Sequence, residues 1–93
     1  MLVIIRSAPD TVDGRRGIAL ARDMAANICL IQNAVSFAHK NRFEGFCGTV
    51  YVLDEDCRLR GLKRDELVTD VIEVDYDSLV DLMARDEKVI GIF

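Results

Sequence analysis

Residues 49–61 read TVYVLDEDCRLRG, an apolar segment followed at once by a short charged one. Thr49 to Leu53 is rich in β-branched and aromatic residues, which favour a strand. Asp54 is predicted to cap a helix over 54–60 that has acidic residues in its first turn, arginines in its last turn and Gly61 at its end. Every charge matches the helix dipole. The stretch therefore predicts one strand–helix unit.

The same alternation of strand and helix continues on both sides of this unit. Short apolar strands are predicted at Leu2–Ile5, Ile28–Ile31, Val71–Val74 and Val89–Phe93. The first helix is predicted to be capped by Asp10 or Asp13 and to end at Asn27. Its inward face is predicted to carry Ile18, Ala21, Met24 and Ala25. The second is predicted to be capped by Asn33, with Val35, Phe37 and Ala38 inward. A loop is predicted over Asn41–Gly48, and a last helix over Tyr76–Arg85 with Leu79, Val80, Leu82 and Met83 inward.

Strands that are apolar on both faces and alternate with helices indicate a parallel sheet covered on both sides. The predicted fold class is α/β: a three-layer α/β/α sandwich with a mostly parallel sheet of four to five strands. A length of 93 residues predicts a single domain over residues 1–93, since domains usually need roughly 100–200 residues each.

Charge and composition exclude several function classes. The net charge is −4, with net +2 over residues 1–46 and net −6 over residues 47–93. A chain that binds nucleic acid directly needs a surplus of cations, so direct nucleic-acid binding is not predicted.

The longest apolar run, Met1–Ile5, is far shorter than the ~20 residues of a membrane span. No basic-then-apolar start resembles a signal peptide, so a cytoplasmic location is predicted.

The three cysteines, Cys29, Cys47 and Cys57, and the single histidine, His39, have no spacing typical of a zinc site. No metal and no cofactor is predicted, and free thiols indicate a reducing compartment. Cys29 lies within a predicted strand, as a small buried hydrophobe does. Cys47 and Cys57 are the weak nucleophile candidates.

Cys57 lies in the first turn of the predicted helix, where the pKa of a thiol can fall well below about 8.5. The neighbouring carboxylates of Asp54, Glu55 and Asp56 oppose a thiolate and act in the other direction. No strongly activated nucleophile is therefore predicted at this position.

Polar residues follow the predicted strands where each one ends. In an open parallel sheet, sites form outside the carboxyl ends of the strands. The residues at this edge are Ser7, Gln32, Asn33, Asp54, Asp75 and Tyr76. Helix caps and turns account for each of them singly, but their convergence makes this edge the candidate functional surface.

Three segments resemble the DsrH/TusB family of sulfur-relay subunits in the DsrE-like superfamily. LIQNAV at 30–35 resembles the family's L-[IL]-Q-[DN]-G-V, and VYVLDED at 50–56 with RGL at 60–62 resembles V-Y-x-L-x-x-D-x-x-A-R-G. VDY at 74–76, followed by Leu79, Val80 and Leu82, resembles I-D-Y-x-x-F-V-x-L. Together they run in order through nearly the whole chain. Ala34 and Leu59 depart from the family's glycine and alanine.

The resemblance implies a subunit that carries no sulfur itself. In the sister subunits the persulfide cysteine lies at the mouth of the third strand, which here is nearer Leu53 than Cys57. Some DsrH members have a cysteine after the first strand, whereas Arg6–Asp13 contains none. Whether the chain is an enzyme is left open by this pattern, which favours a non-catalytic subunit.

By the same resemblance, the partners are DsrE-like and DsrF-like subunits and a downstream sulfur-carrier protein, in a homo- or hetero-oligomer. The complex passes persulfide sulfur toward 2-thiolation of the tRNA wobble uridine, or toward sulfur oxidation in other organisms. The partner-contact surface is the edge defined above with Asp56 added; these seven residues are called the rim.

Two alternatives belong to other classes. One is a free-standing sulfurtransferase that uses Cys57 or Cys47. The other is a homo-oligomeric scaffold or binding module outside sulfur metabolism.

Overall fold

A computed structural model describes residues 1–39, 48–67, 70–86 and 88–92. Within them lies a five-stranded sheet in the order β4-β3-β2-β1-β5. All four pairs of neighbouring strands are parallel, which confirms the predicted α/β fold class. The strands are β1 (Leu2–Ile5), β2 (Asn27–Leu30), β3 (Val50–Leu53), β4 (Ile72–Val74) and β5 (Val89–Ile92).

In the described part of the chain, three α-helices and two 3₁₀ helices connect these strands. They are α1 (Val12–Asp23), the first 3₁₀ helix (Gln32–Ala38), α2 (Asp54–Leu59), the second 3₁₀ helix (Arg64–Glu66) and α3 (Tyr76–Arg85). The chain moves one strand along the sheet from β1 to β4 and then returns to the opposite edge at β5. Because crossovers between parallel strands are right-handed, the returning connection lies on the other face of the sheet. The helix α3 is therefore separated from α1 and α2 by the sheet.

Each face of the sheet has its own apolar core. On the first face, Val3 and Ile5 of β1 pack with Ile18 and Ala21 of α1 and with the first 3₁₀ helix. On the second face, alternate residues of the same strand, Leu2 and Ile4, share a cluster with Leu79 of α3. Successive side chains of a strand point to opposite faces, so a four-residue apolar strand such as β1 supplies both cores.

The helix α1 begins one or two residues away from the predicted caps. Thr11 is the N-cap, and its Oγ1 accepts a hydrogen bond from the Gly14 N–H at 3.0 Å. The same hydroxyl donates to the Ala8 carbonyl at 2.6 Å. The prediction of Asp10 or Asp13 as the cap was wrong. The Thr11 hydroxyl both accepts a hydrogen bond from the helix and donates one to the loop that precedes it.

The inward face of α1 is shorter than the sequence pattern predicts. Ile18 and Ala21 are buried, as predicted. Met24 is the C-cap and is 49% exposed, and Ala25 follows with a φ of +50°. The helix thus ends before Met24, and these two residues turn away from the core.

The second predicted helix is a 3₁₀ helix, and Asn33 lies inside it rather than at its cap. Its N-cap is Ile31, which makes no side-chain capping bond. With three residues per turn, side chains at i and i+3 stack in rows. The buried residues form two such rows, namely Ala34 with Phe37 and Val35 with Ala38. The predicted burial of Val35, Phe37 and Ala38 is confirmed.

The helix α2 has the predicted charges but not the predicted cap. Leu53 is the N-cap, with no side-chain capping bond, and Asp54 is the first helical residue. Arg60 is the C-cap, and Gly61 follows with a φ of +70°. That left-handed conformation is the one in which glycine ends helices most readily.

In α3 only part of the predicted inward face is covered. Leu79 is buried and Leu82 is half-buried, but Val80 is 62% and Met83 is 42% exposed. The predicted inward orientation of Val80 and Met83 was wrong. A ten-residue helix lying on a sheet buries one narrow strip, and here Leu79 and Leu82 form that strip.

The predicted loop over Asn41–Gly48 lies outside the described residues except for Gly48, and so do Cys47 and Phe93. No helix in the described part of the chain is long and apolar enough to cross a bilayer.

Candidate functional site at the carboxyl edge of the sheet

The rim residues follow the carboxyl ends of four adjacent parallel strands. Ser7 comes after β1, Gln32 and Asn33 after β2, Asp54 and Asp56 after β3, and Asp75 and Tyr76 after β4. After β3 the chain turns to α2 on one face, and after β4 it turns to α3 on the other. Connections that diverge in this way open a crevice at the sheet edge, where sites form in open α/β sheets.

Asp56 joins two of these strand ends. The residue is only 5% exposed, and its Oδ2 accepts a hydrogen bond of 2.7 Å from the backbone N–H of Gln32. Gln32 has a φ of +50°, a left-handed conformation that is uncommon for residues other than glycine. A charge-assisted bond of this kind is stronger than one between neutral groups. Asp56 therefore holds the turn after β2 in place, and its burial removes it from direct contact with a partner.

Arg60 completes this cluster and carries it to the surface. Its Nη1 lies 3.6 Å from Asp56 Oδ1, while Nε and Nη2 donate to Asn33 Oδ1 at 3.2 and 3.1 Å. The guanidinium thus ties α2 to the first 3₁₀ helix. The sequence analysis did not include Arg60 in the rim. Its position four residues after Asp56 on a helix is the signal that points to it.

Asp75 and Tyr76 begin α3 at the end of β4. Asp75 is the N-cap, and its Oδ1 accepts from the Ser78 N–H at 2.7 Å. This backbone hydrogen bond, with a further bond from the Ser78 side chain, lowers the pKa of Asp75 below its ordinary 3.8. Tyr76 is 55% exposed. Asp75 is thus a helix cap, whereas the ring of Tyr76 is available to a partner.

Replacing Asp75 with alanine should lower the thermal midpoint near pH 7, because the Ser78 N–H loses its acceptor. The folded pKa is lowered, so this contribution is present above about pH 4 and is lost as the pH falls through the folded value. Thermal melts from pH 7 to pH 2 should show the two proteins converging in acid. Asp75→Asn keeps an acceptor and should remain close to wild type at pH 7. A gap between wild type and Asp75→Ala that is as large at pH 2 as at pH 7 would contradict the assignment.

A pocket of about 370 Å³ lies between α2, the segment that follows it and β4, and Asp54 is the rim residue in its lining. Its lining includes the Cys57 thiol, two carboxylates and three cations, namely Asp54, Glu73, Arg58, Lys63 and Arg64. Arg64 Nη1 lies 3.9 Å from Glu73 Oε1, so one cation is paired across the pocket. The sequence analysis connected only Asp54 and Cys57. Glu73 joins the residues of 54–64 because β4 lies beside β3.

The Cys57 thiol is the nucleophile candidate in this pocket, and its surroundings keep it protonated. The side chain is only 3% exposed. Burial, followed by the negative charges of Glu73, Asp56 and Asp54, raises the pKa of Cys57 from 9.0 to about 11, although Arg60 acts in the opposite direction. The thiolate is the nucleophilic form of cysteine, so at neutral pH this thiol is a poor attacking group.

We expect the alkylation of Cys57 by iodoacetamide at pH 8 to be at least about tenfold slower in the native chain than in urea. A pKa of about 11 instead of 9.0 lowers the thiolate fraction about a hundredfold, and burial slows the reagent further. The rate should rise as the pH passes from 9 toward 11. The variant Cys29→Ala/Cys47→Ala, followed by intact mass, isolates this thiol. Equal rates in the native and unfolded chains would contradict the prediction.

The other two cysteines are Cys29 and Cys47. Cys29 is fully buried in β2, and burial, followed by the negative charge of Asp56, raises the pKa of its thiol to about 12. Cys47 lies outside the described residues. Within 1–39, 48–67, 70–86 and 88–92, no group of three or more histidine, cysteine, aspartate or glutamate side chains is placed to hold a metal ion.

The family described as "DsrH like protein" matches residues 15–89. This range contains most of α1, both 3₁₀ helices, α2, α3 and the strands β2, β3 and β4, and it ends at the first residue of β5. The chain belongs to the DsrH-like family. Its function is therefore related to sulfur relay, in which members of this family act together with other subunits. This confirms the family resemblance drawn from residues 30–35, 50–56 and 74–76.

Two solved structures share the fold of this DsrH-like chain. The ychN protein from E. coli has a TM-score of 0.73 at 18% identity, with 97% of each chain covered. The Tm0979 protein from Thermotoga maritima has a TM-score of 0.68 at 23% identity, covering 95% of this chain and 97% of its own. At these identities the likeness concerns the fold. Among curated proteins, none matches this chain.

Proposed function

We propose that this DsrH-like chain is a non-nucleophilic subunit of a persulfide-transfer complex that serves 2-thiolation of the tRNA wobble uridine. One observation carries the proposal. The thiol that lines the pocket beside α2, Cys57, is 3% exposed and has a pKa raised to about 11. Such a thiol is a poor acceptor of sulfur from a donor persulfide, because acceptance requires an exposed thiolate.

The proposed partners are DsrE-like and DsrF-like subunits, with a downstream sulfur-carrier protein, in the cytoplasm. The rim supports this role. Asp56 and Arg60 brace its centre, while Gln32, Asn33 and Tyr76 are exposed. A braced surface with exposed polar and aromatic groups suits recognition more than catalysis. The net charge of −4 favours a relay in which other proteins meet the tRNA.

Sulfur loading tests the proposal directly. The reduced chain and a DsrE-like subunit from the same organism are each incubated with a persulfide donor and analysed by intact mass. The DsrE-like subunit should gain the mass of one sulfur atom and this chain should gain none. Sulfur on this chain that disappears in Cys57→Ser or in Cys47→Ser would instead establish the free-standing sulfurtransferase and identify its thiol.

Two further measurements separate the remaining alternatives. Co-expression with DsrE-like and DsrF-like subunits should yield one complex on size exclusion, whereas self-association alone would favour a homo-oligomeric scaffold. Deletion of the gene should lower the 2-thiouridine content of tRNA. Unchanged 2-thiouridine together with impaired sulfur oxidation would assign the complex to the oxidative pathway.

A further inference from the structure

The helix α3 has an exposed apolar strip in addition to the buried one. Tyr76, Val80 and Met83 are 55%, 62% and 42% exposed. A helix turns by about 100° per residue, so these three side chains lie within an arc of about 60°. We call them the α3 stripe. Exposed apolar groups that line up in this way mark interaction surfaces more often than single exposed residues do.

The charges beside the α3 stripe lie on one side only. The exposed carboxylates of Asp77 and Asp81 follow the stripe around the helix, while on its other side Leu79 and Leu82 pack on the sheet. Arg85 lies beyond the acidic residues, and its Nε donates to the Asp81 carbonyl. The stripe therefore has one acidic edge and one edge closed by its own domain.

This asymmetry argues against a second copy of the chain as the occupant. In an antiparallel pair of identical helices, each edge faces the same edge of its partner, so the carboxylates of Asp77 and Asp81 would face one another. In a parallel pair they would face the edge that is already closed. Like charges placed against each other are destabilising. The same edge repels the anionic surface of a membrane.

We propose that the α3 stripe is a docking surface for a partner subunit, and that the partner contributes a segment with apolar side chains and lysine or arginine along one edge. The inference rests on the proposed function, which supplies the partner, and it places a contact on α3 in addition to the rim. Tyr76 belongs to both surfaces, so the two are continuous. An aromatic group with apolar neighbours and a charged border is the usual composition of a binding hot spot.

The apolar part of the proposal is tested with two matched substitutions. Val80→Glu and Val12→Glu each add one negative charge at an exposed valine in a helix. Val80 is 62% exposed and Val12 is 56% exposed, and the two helices lie on opposite faces of the sheet. With the DsrE-like and DsrF-like subunits, Val80→Glu should weaken binding at least about tenfold and Val12→Glu less than about twofold. Circular dichroism checks the fold, and Val80→Ser replaces Val80→Glu if the latter fails to fold.

The charged part is tested by reversal. Asp77→Lys/Asp81→Lys should also weaken binding several-fold, and most strongly at low salt. Binding that is unaffected by Val80→Glu would overturn the inference and leave the proposed function standing. Self-association of wild type that Val80→Glu abolishes would overturn it as well, because a second copy would then occupy the stripe.

A chemically defined probe covers the case in which the subunits do not bind at all, which would count against the proposed function. The probe is an amphipathic helical peptide with a leucine stripe and a lysine edge, compared with the same peptide carrying glutamate at the edge. The lysine peptide should bind wild type and Val12→Glu, and should bind Val80→Glu at least about tenfold more weakly. A lysine peptide that bound only by non-specific attraction to an acidic protein would bind Val80→Glu more tightly than wild type, because that change adds negative charge. Equal binding of the two peptides would overturn the inference.

Discussion

Replacing Asp56 with alanine should lower the free energy of unfolding by about 3 kcal/mol. The backbone N–H of Gln32 loses its acceptor at 2.7 Å, and the Arg60 guanidinium loses a carboxylate at 3.6 Å. A hydrogen bond to a charged group contributes roughly 1.5–3 kcal/mol, and this bond is part-buried. Arg60 is partly exposed, so solvent screening makes the loss of its ion pair the smaller part of the destabilisation. Urea denaturation followed by circular dichroism measures the difference.

Two variants make this expectation specific. Asp56→Asn keeps an oxygen that can accept from Gln32 and should lose only about 1 kcal/mol. Asp65→Ala removes an exposed carboxylate from the second 3₁₀ helix and should stay within about 0.5 kcal/mol of wild type. A loss in Asp56→Ala no larger than that in Asp65→Ala would show that the carboxylate does not brace the rim.

Replacing Gly14 with alanine should destabilise the chain by about 2 kcal/mol, although alanine is the better helix former by about 1 kcal/mol. A Cβ at this position would press on the Ala8 carbonyl oxygen and lie 3.0 Å from both the Ser7 carbonyl oxygen and Thr11 Oγ1. Two of these atoms belong to the backbone and cannot move aside as a flexible side chain can. Forced repacking of a close-packed site typically costs roughly 1–3 kcal/mol. The measurement is again urea denaturation.

The control for Gly14→Ala is Arg16→Ala, an exposed position in the same helix where the helix propensities of the two residues are similar. It should change the free energy of unfolding by less than about 0.5 kcal/mol. Because the strain in Gly14→Ala falls on the loop that follows β1, amide exchange should also quicken near Ser7. A Gly14→Ala protein more stable than wild type would show that this loop moves aside without cost.

These two residues indicate how the carboxyl edge of the sheet is built. Gly14 allows α1 to approach the end of β1 closely, and Asp56 secures the end of β2 from α2. Neither residue is exposed. Of the exposed rim residues, Gln32 is held by Asp56 directly, and Asn33 is held through Arg60. Loss of partner binding in Asp56→Ala would therefore report on the shape of the rim and not on a direct contact.

The family resemblance and the alternation of strands and helices could be recognised from the sequence because both are local. Residues 50–53 form a strand because a continuous β-branched and aromatic run packs well on both faces of a central strand. The helix after them keeps its acids first and its arginines last, so its direction and approximate ends also follow from nearby residues. The parallel direction of the strands follows from the helices that connect them.

Other features depended on contacts between distant segments. The exposure of Val80 and Met83 is set by how α3 lies on the sheet. The sequence patterns of a buried and an exposed apolar residue in a short helix are the same. The raised pKa of Cys57 comes first from burial and then from the charge of Glu73, which lies near the thiol because β4 pairs with β3. Local propensity and hydrophobic pattern act over a few residues and so determined the fold class, whereas solvent access and electrostatics act through space and were decided by the tertiary structure.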